Sequence, residues 1–68
     1  MKKGTRVRMS EQLKRDLRLN GSGEHVDEFG DCIGIVQGPA EPNWPEVDVR
    51  WQPSNLRYAY HPNKLIRA

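Results

Sequence analysis

The fold is decided by residues 46–61, which read E-V-D-V-R-W-Q-P-S-N-L-R-Y-A-Y-H. Apolar and polar residues alternate over residues 47–51 and again over residues 56–60. This period of two is typical of strands with one buried face. Proline and asparagine within residues 52–55 favour a type I turn between the strands, with Pro53 at its second position. The sequence therefore predicts a β-hairpin, which the rest of the chain must cover.

The predicted turn also fixes which residues of the hairpin lie opposite one another. The expected pairs are Trp51 with Leu56, Val49 with Tyr58 and Val47 with Tyr60. All six apolar residues then share one face, a consistency that a shift of one residue would destroy.

The same register places Arg50 directly opposite Arg57 on the outer face, where like charges repel. One interpretation is that Asp48 and Glu46 offset this repulsion and the arginines are simply solvated. The other is that the pair binds an anion, such as a phosphate group or the carboxylates of a partner.

Length and composition restrict the class of protein. Sixty-eight residues form one small domain, 1–68, and such a chain buries only about 60% of the surface that it exposes when unfolded. An enclosed catalytic cleft is difficult to build at this size, so we expect a binding module, not an enzyme, and no cofactor. The formal charge of +2 permits nucleic acid as a partner without requiring it.

Cysteine and hydropathy exclude further classes. Cys32 is the single cysteine, so no internal disulfide or cysteine-based zinc site is expected. The separations of His25, Cys32 and His61 match no metal-ligand spacing, and we expect no metal. Neither a secretory leader nor a membrane span of roughly 20 apolar residues is visible, so the expected location is cytoplasmic, with no membrane partner.

Further elements flank the hairpin on both sides. Ser10 is a suitable N-cap, and Leu13 and Leu17 have helical spacing, so one or two helical turns are expected before Asn20–Gly21. We expect the polar segment after them to stay on the surface. The other predicted elements are a strand over 5–9, a strand over 30–36 that is either buried on both faces or bulged at Gly34, an irregular proline-rich loop over 37–45, a tight turn over 61–64 and a last strand over 65–67.

The sum of these elements predicts an all-β fold, an SH3-like five-stranded small barrel with a short helical turn in the first long loop. Closure of the barrel would remove the exposed edges that such short strands otherwise leave.

The order of glycine, arginine and aromatic residues also resembles known families. The residues that carry the resemblance are Gly4, Val7, Gly30, Gly34, Val36, Val47, Val49, Arg50, Trp51, Tyr58 and Leu65. They resemble the mind-bomb/HERC-type domain and, more loosely, a small SH3-like protein of photosystem I and the barrel of the nitrile hydratase β-subunit. The insert over residues 10–23 fits none of these families closely. The resemblance implies an SH3-like fold and a role as a scaffolding or partner-binding module.

Trp44 lies in the proline-rich loop, an unusual place for a large apolar side chain. In one interpretation it folds over the open end of the barrel and seals the core. In the other it stands beside Tyr58 or Tyr60 as an aromatic contact for a partner. Trp51, in contrast, is expected in the core because the strand alternation requires it.

Two functional hypotheses follow. The first is a small non-enzymatic adaptor, of a size that suits a bacterial or phage accessory protein, which docks on another protein through Trp44, Arg50, Arg57 and Tyr58. The alternative is a nucleic-acid-binding barrel in which the two hairpin arginines act together with further phosphate contacts. Those further contacts are Arg6 and Arg8 on the first strand and Lys14, Arg15 and Arg18 on the helical turn.

Overall fold

Five strands form one antiparallel sheet in the order β4-β3-β2-β1-β5. The structure is a computed structural model that describes residues 1–68. The strands are β1 (Arg6–Met9), β2 (Gly34–Pro39), β3 (Val47–Trp51), β4 (Arg57–Tyr60) and β5 (Leu65–Arg67). Two short helices, α1 (Glu11–Leu19) and α2 (Gly23–Phe29), connect β1 to β2, and a 3₁₀ turn (Pro62–Lys64) precedes β5.

The central hairpin has the predicted register. Val47 pairs with Tyr60, Val49 with Tyr58 and Arg50 with Arg57. The loop differs from a type I turn, because the Asn55 amide donates to the Trp51 carbonyl oxygen at 2.7 Å and Asn55 has a φ of +64°. Leu56 is 46% exposed, so it contributes less to the core than the alternation indicates.

Helix α1 begins and ends where its sequence predicts. The Leu13 amide donates to the Ser10 side-chain oxygen at 3.0 Å, which caps the first turn. The helix ends at Leu19, and Gly21 follows with a φ of +83°, a conformation that glycine adopts at little cost. The predicted helical turn is therefore a full helix of 9 residues.

Helix α2 was not predicted, and the expectation of a polar surface segment holds for the exposed Asp27 and Glu28 but not for the half-buried His25. Val26 and Phe29 are buried, three residues apart on one helical face. Polar neighbours such as Asp27 and Glu28 mask this short apolar face in the sequence. The fold is therefore mostly strand with two helices, and not purely β.

Strand β2 starts four residues later than predicted, because the chain first has to leave α2. The Gly30 amide donates to the Val26 carbonyl at 2.7 Å and the Cys32 amide to the Phe29 carbonyl at 3.0 Å. The bulge also lies later, between Val36 and Gly38, instead of at Gly34. Gly34 has a different requirement, because any side chain at this position would collide with Val49 and Trp51.

The core lies between the sheet and the two helices. Trp51 is fully buried, as predicted, and Phe29 of α2 stacks on it with ring centroids 5.9 Å apart and planes 24° apart. The other core residues are Val7, Met9, Leu13, Val36, Val47, Val49, Tyr60 and Leu65.

Strands β4 and β5 lie at the two edges of the sheet and do not pair with each other. The sheet is therefore not closed, in contrast to the expected barrel. Neither helix has the length and apolar character that a membrane crossing requires.

Candidate functional site

The predicted partner-binding residues lie on different surfaces. Successive strand residues point to opposite faces, so Arg57 lies on the outer face while Tyr58 points toward the helices. The Tyr58 ring meets the His25 ring at a centroid distance of 4.7 Å. Arg50 and Arg57 stay together on the outer face, opposite one another as predicted.

Trp44 lies in the loop between β2 and β3 and is 59% exposed. At this exposure it does not seal the end of the core, so that interpretation is wrong. It also makes no ring contact with Tyr58 or Tyr60, whose aromatic neighbours are His25, Phe29 and Trp51. Contact with a partner stays a prediction for Trp44.

The structure extends the arginine pair into a row across four strands. Arg57 of β4 lies opposite Arg50 of β3, Arg50 opposite Ile35 of β2, and Ile35 opposite Arg6 of β1. With strands about 4.8 Å apart, the row spans about 14 Å. Arg8, two residues beyond Arg6 on the same side of β1, lies opposite Ile66 of β5. We call the surface formed by Arg6, Arg8, Arg50 and Arg57 the basic face.

The basic face carries the excess positive charge of the chain. Its four arginines are accompanied by one carboxylate, Asp48, which leaves a net charge of +3 on this face. The remaining seven lysines and arginines are outnumbered by eight aspartates and glutamates, a net charge of −1. Both helices pack on the other side of the sheet, so neither covers the basic face.

The facing arginines have separate partners that reduce their repulsion. The Arg57 Nε lies 3.5 Å from the Asp48 Oδ2, and an Arg50 guanidinium nitrogen donates to the Asn55 Oδ1 at 2.8 Å. Glu46, the other acid expected here, instead pairs with His61 at 3.3 Å. Only one of the two arginines is therefore neutralised by a carboxylate.

The basic residues of α1 do not extend the basic face. Lys14 pairs with Glu11 at 3.5 Å and approaches Asp31 at 3.9 Å, and Arg18 pairs with Asp27 of α2 at 3.3 Å. Arg15 is exposed and has no carboxylate within ion-pair distance. Because α1 packs on the inner side of the sheet, the predicted phosphate contacts fall on two separate surfaces.

A second surface lies on the inner side, between the helices and the end of β4. It is an open groove of about 540 Å³ lined by Leu13, Asp16, Leu17, Asn20, Ser22, His25, Glu46, Tyr58, Ala59, Tyr60, His61 and Lys64. We call it the aromatic groove, because the rings of His25, Tyr58 and Tyr60 form one of its walls.

A chain of hydrogen bonds supports this wall from the core. The indole nitrogen of Trp51 donates to the Tyr60 hydroxyl at 3.0 Å, and the same hydroxyl lies 2.5 Å from the His25 Nε2. An indole N–H only donates, so the Tyr60 oxygen accepts from Trp51 and its proton is available to His25.

The environment keeps both groups neutral. Burial lowers the pKa of His25 below its ordinary value of 6.5, and the nearby Glu28 carboxylate only partly opposes this effect. Burial raises the pKa of Tyr60 from 10.0 to about 12, although the hydrogen bond from Trp51 favours the ionised form. A neutral imidazole that accepts from a neutral phenol agrees with this electrostatic environment.

Sequence patterns alone did not reveal the aromatic groove. Its residues come from three separate parts of the chain: the two helices and the turn between them, Glu46 just before β3, and the segment from β4 to the 3₁₀ turn. The one local signal is the helical spacing of Val26 and Phe29. This spacing would place His25 beside a buried helical face. Recognition of that helix would have brought His25 to the sheet, but not its contact with Tyr60.

No group of three or more histidine, cysteine, aspartate or glutamate side chains is close enough together to hold a metal ion. Comparisons with protein-family models, curated proteins and solved structures found no match to this chain. The resemblance to the mind-bomb/HERC-type domain and the related barrels therefore stays a prediction from the sequence, and the candidate site depends on the chain's own geometry.

Proposed function

We propose that this chain is a small, non-enzymatic, cytoplasmic adaptor whose basic face docks on an acidic surface of another protein. The observation that carries the proposal is the concentration of arginines, in register, on the one side of the sheet that no helix covers. An uncovered charge row of this kind lowers the folded stability through repulsion, and a partner's carboxylates would relieve that repulsion.

The composition of the basic face favours a protein surface as its partner. Ile35 lies between Arg50 and Arg6 in the row, and the exposed Ile66 lies beside Arg8. Arginine combined with apolar area is typical of protein interfaces, and each guanidinium binds carboxylates in a fixed two-pronged geometry. Trp44 supplies a further exposed anchor in the adjacent loop.

The proposal also retains the SH3-like small barrel as the fold family. The order of the strands supports it: β1 to β4 are consecutive neighbours, and β5 returns beside β1 after a single 3₁₀ turn. The one barrel feature that is missing is a pairing between the edge strands β4 and β5, which would close the sheet.

The second candidate function is nucleic-acid binding. It is favoured by the absence of a carboxylate partner for Arg6, Arg8 and Arg50, which leaves three guanidinium groups free for phosphates. The basic face carries no aromatic residue for base stacking, so contacts here would be limited to the sugar–phosphate backbone.

Charge reversal on the basic face tests the adaptor proposal. The double variant Arg50→Glu with Arg57→Glu is used as bait beside a control double variant, Arg15→Glu with Lys3→Glu. The control makes the same charge change at two exposed residues outside the set that defines the basic face. We expect a protein retained by the wild type and the control pair but lost from the basic-face pair. Equal retention by all three baits would contradict the proposal.

Oligonucleotide binding separates the two candidates. Affinity for mixed-sequence DNA and RNA is measured at about 50 and about 200 mM salt. The adaptor proposal predicts no measurable affinity at the lower salt concentration. Tight binding that falls steeply with salt, and that the Arg50→Glu and Arg57→Glu changes abolish, would replace it with the nucleic-acid function.

A further inference from the structure

We infer that the aromatic groove is a binding site for a small organic ammonium ion with an apolar body. The groove lies on the side of the sheet opposite the basic face, and the inference does not depend on the adaptor proposal. Three features carry it: the shape of the groove, the charges at its rim and the aromatic wall.

The shape suits a small molecule. A volume of about 540 Å³ is within the range of ordinary ligand sites. Leu13 and Leu17 of α1 supply apolar surface opposite the rings of β4, and Asn20 and Ser22 add a few uncharged polar groups. Such a mixture of apolar walls with few polar groups is typical of small-ligand pockets.

The fixed charges at the rim favour a cation. Asp16 and Glu46 contribute two carboxylates to the groove, and Lys64 contributes the only side chain with a permanent positive charge. The C-terminal end of α1, with its partial negative charge, also lies here through Leu17 and Asn20. An anionic ligand would meet unfavourable charges at each of these positions except Lys64.

The protein already places one ammonium group in the groove. The Lys64 Nζ lies 3.1 Å from the Asp16 Oδ2, so this space accommodates an alkylammonium beside a carboxylate. The Glu46 carboxylate, in contrast, pairs with no lysine or arginine, and its partner is the imidazole of His61 at 3.3 Å. Glu46 is therefore the carboxylate that remains for the ammonium group of a ligand.

The aromatic wall provides the second attraction. Tyr58 is 42% exposed although its ring packs on His25 and Phe29, so part of the ring faces the groove. Cations are attracted to the faces of aromatic rings, and more strongly where water is partly excluded. The lowered pKa of His25 keeps this wall free of positive charge at neutral pH.

The test uses three probes of nearly equal size: 2-phenylethylammonium, 2-phenylethanol and 3-phenylpropionate. Binding is measured by NMR titration of the full chain, with the ring signals of Tyr58, Tyr60 and His25 as reporters. We expect the ammonium ion to bind about tenfold more tightly than the alcohol, and the carboxylate to bind least. Equal binding of the ammonium ion and the alcohol, or no shift of these signals at millimolar concentrations, would overturn the inference.

Matched variants locate the site. Glu46→Gln should weaken ammonium binding about fivefold and leave the affinity for the alcohol unchanged, because only the charge is removed. Glu41→Gln makes the same change in the exposed β2–β3 loop and should have no effect. Tyr58→Leu should lower the affinity for the ammonium ion more than the affinity for the alcohol. Loss of ammonium affinity in Glu41→Gln equal to that in Glu46→Gln would show a nonspecific effect of net charge and overturn the assignment.

Discussion

The two faces of one sheet differ in almost every physical property, although the same strands supply both. The inner face is apolar and aromatic, is covered by two helices and carries its ion pairs at the rim. The outer face is covered by no helix and is basic, with Arg50 and Arg57 opposite one another. Adjacent residues such as Arg57 and Tyr58 therefore serve different purposes. The buried residues are concentrated on the inner side, and the outer side stays uncovered.

The largest expected effect tests where stability lies. Phe29→Ala removes the ring that stacks on Trp51 and should lower the free energy of unfolding by about 3–5 kcal/mol. A domain of this size has only a few kcal/mol of stability, so the milder Phe29→Leu is measured beside it. Ile66→Ala, on the outer face, should change stability by less than about 0.5 kcal/mol in urea denaturation. Similar losses at Phe29 and Ile66 would remove the distinction between the faces.

A smaller loss of stability is expected when a single hydroxyl oxygen is removed from the inner face. Tyr60→Phe leaves the buried indole N–H of Trp51 without its acceptor and should cost about 1–3 kcal/mol in unfolding free energy. Tyr58→Phe removes the same atom from a hydroxyl that makes no hydrogen bond within the protein, so it should cost less than about 0.5 kcal/mol. If the two variants are equally stable, the hydrogen-bond chain does not support the groove wall.

The pH dependence of stability should come from the inner face. Burial lowers the pKa of His25 in the folded protein, so the unfolded chain binds a proton more readily. The stability from this residue is complete above the ordinary value of 6.5 and is lost as the pH falls through the lower folded pKa. The free energy of unfolding, measured by denaturation, should therefore decrease between pH 7 and pH 5. This decrease should be smaller in His25→Gln.

The basic face provides the control for this titration. Arginine does not change its charge in this range, so Arg50→Gln with Arg57→Gln should keep the wild-type slope of stability against pH. The NMR titration of His25 gives a direct measurement, since its midpoint should lie below the ordinary value. A midpoint at or above 6.5 would contradict the lowered pKa of His25.

The smallest effect concerns the ion pair that joins the two helices. Arg18 and Asp27 lie 3.3 Å apart on the surface, and a double-mutant cycle with alanine should give a coupling of about 0.2–1 kcal/mol. The coupling should decrease in high salt, as expected for an exposed pair. A coupling well above this range would mean that charged contacts, and not only packing, hold the helices to the inner face.

The sequence by itself determined the hairpin, its register and the burial of Trp51. These features follow from alternation over neighbouring residues and from one turn, and a shift of one residue would expose every apolar side chain. The same local rules found the Ser10 cap and the facing arginines. Helix α2 was missed because its apolar face consists of only two residues, Val26 and Phe29, among polar neighbours.

The tertiary structure decided which distant residues share a surface. Only the order of the strands shows that Arg6 lies in the row of Arg50 and Arg57, whereas the basic residues of α1 lie on the other side. Only the packing of α2 on β4 brings His25 to Tyr60, 35 positions away in the chain. Alternation is a local property of a strand, but contact between elements depends on how the whole chain excludes water from its core.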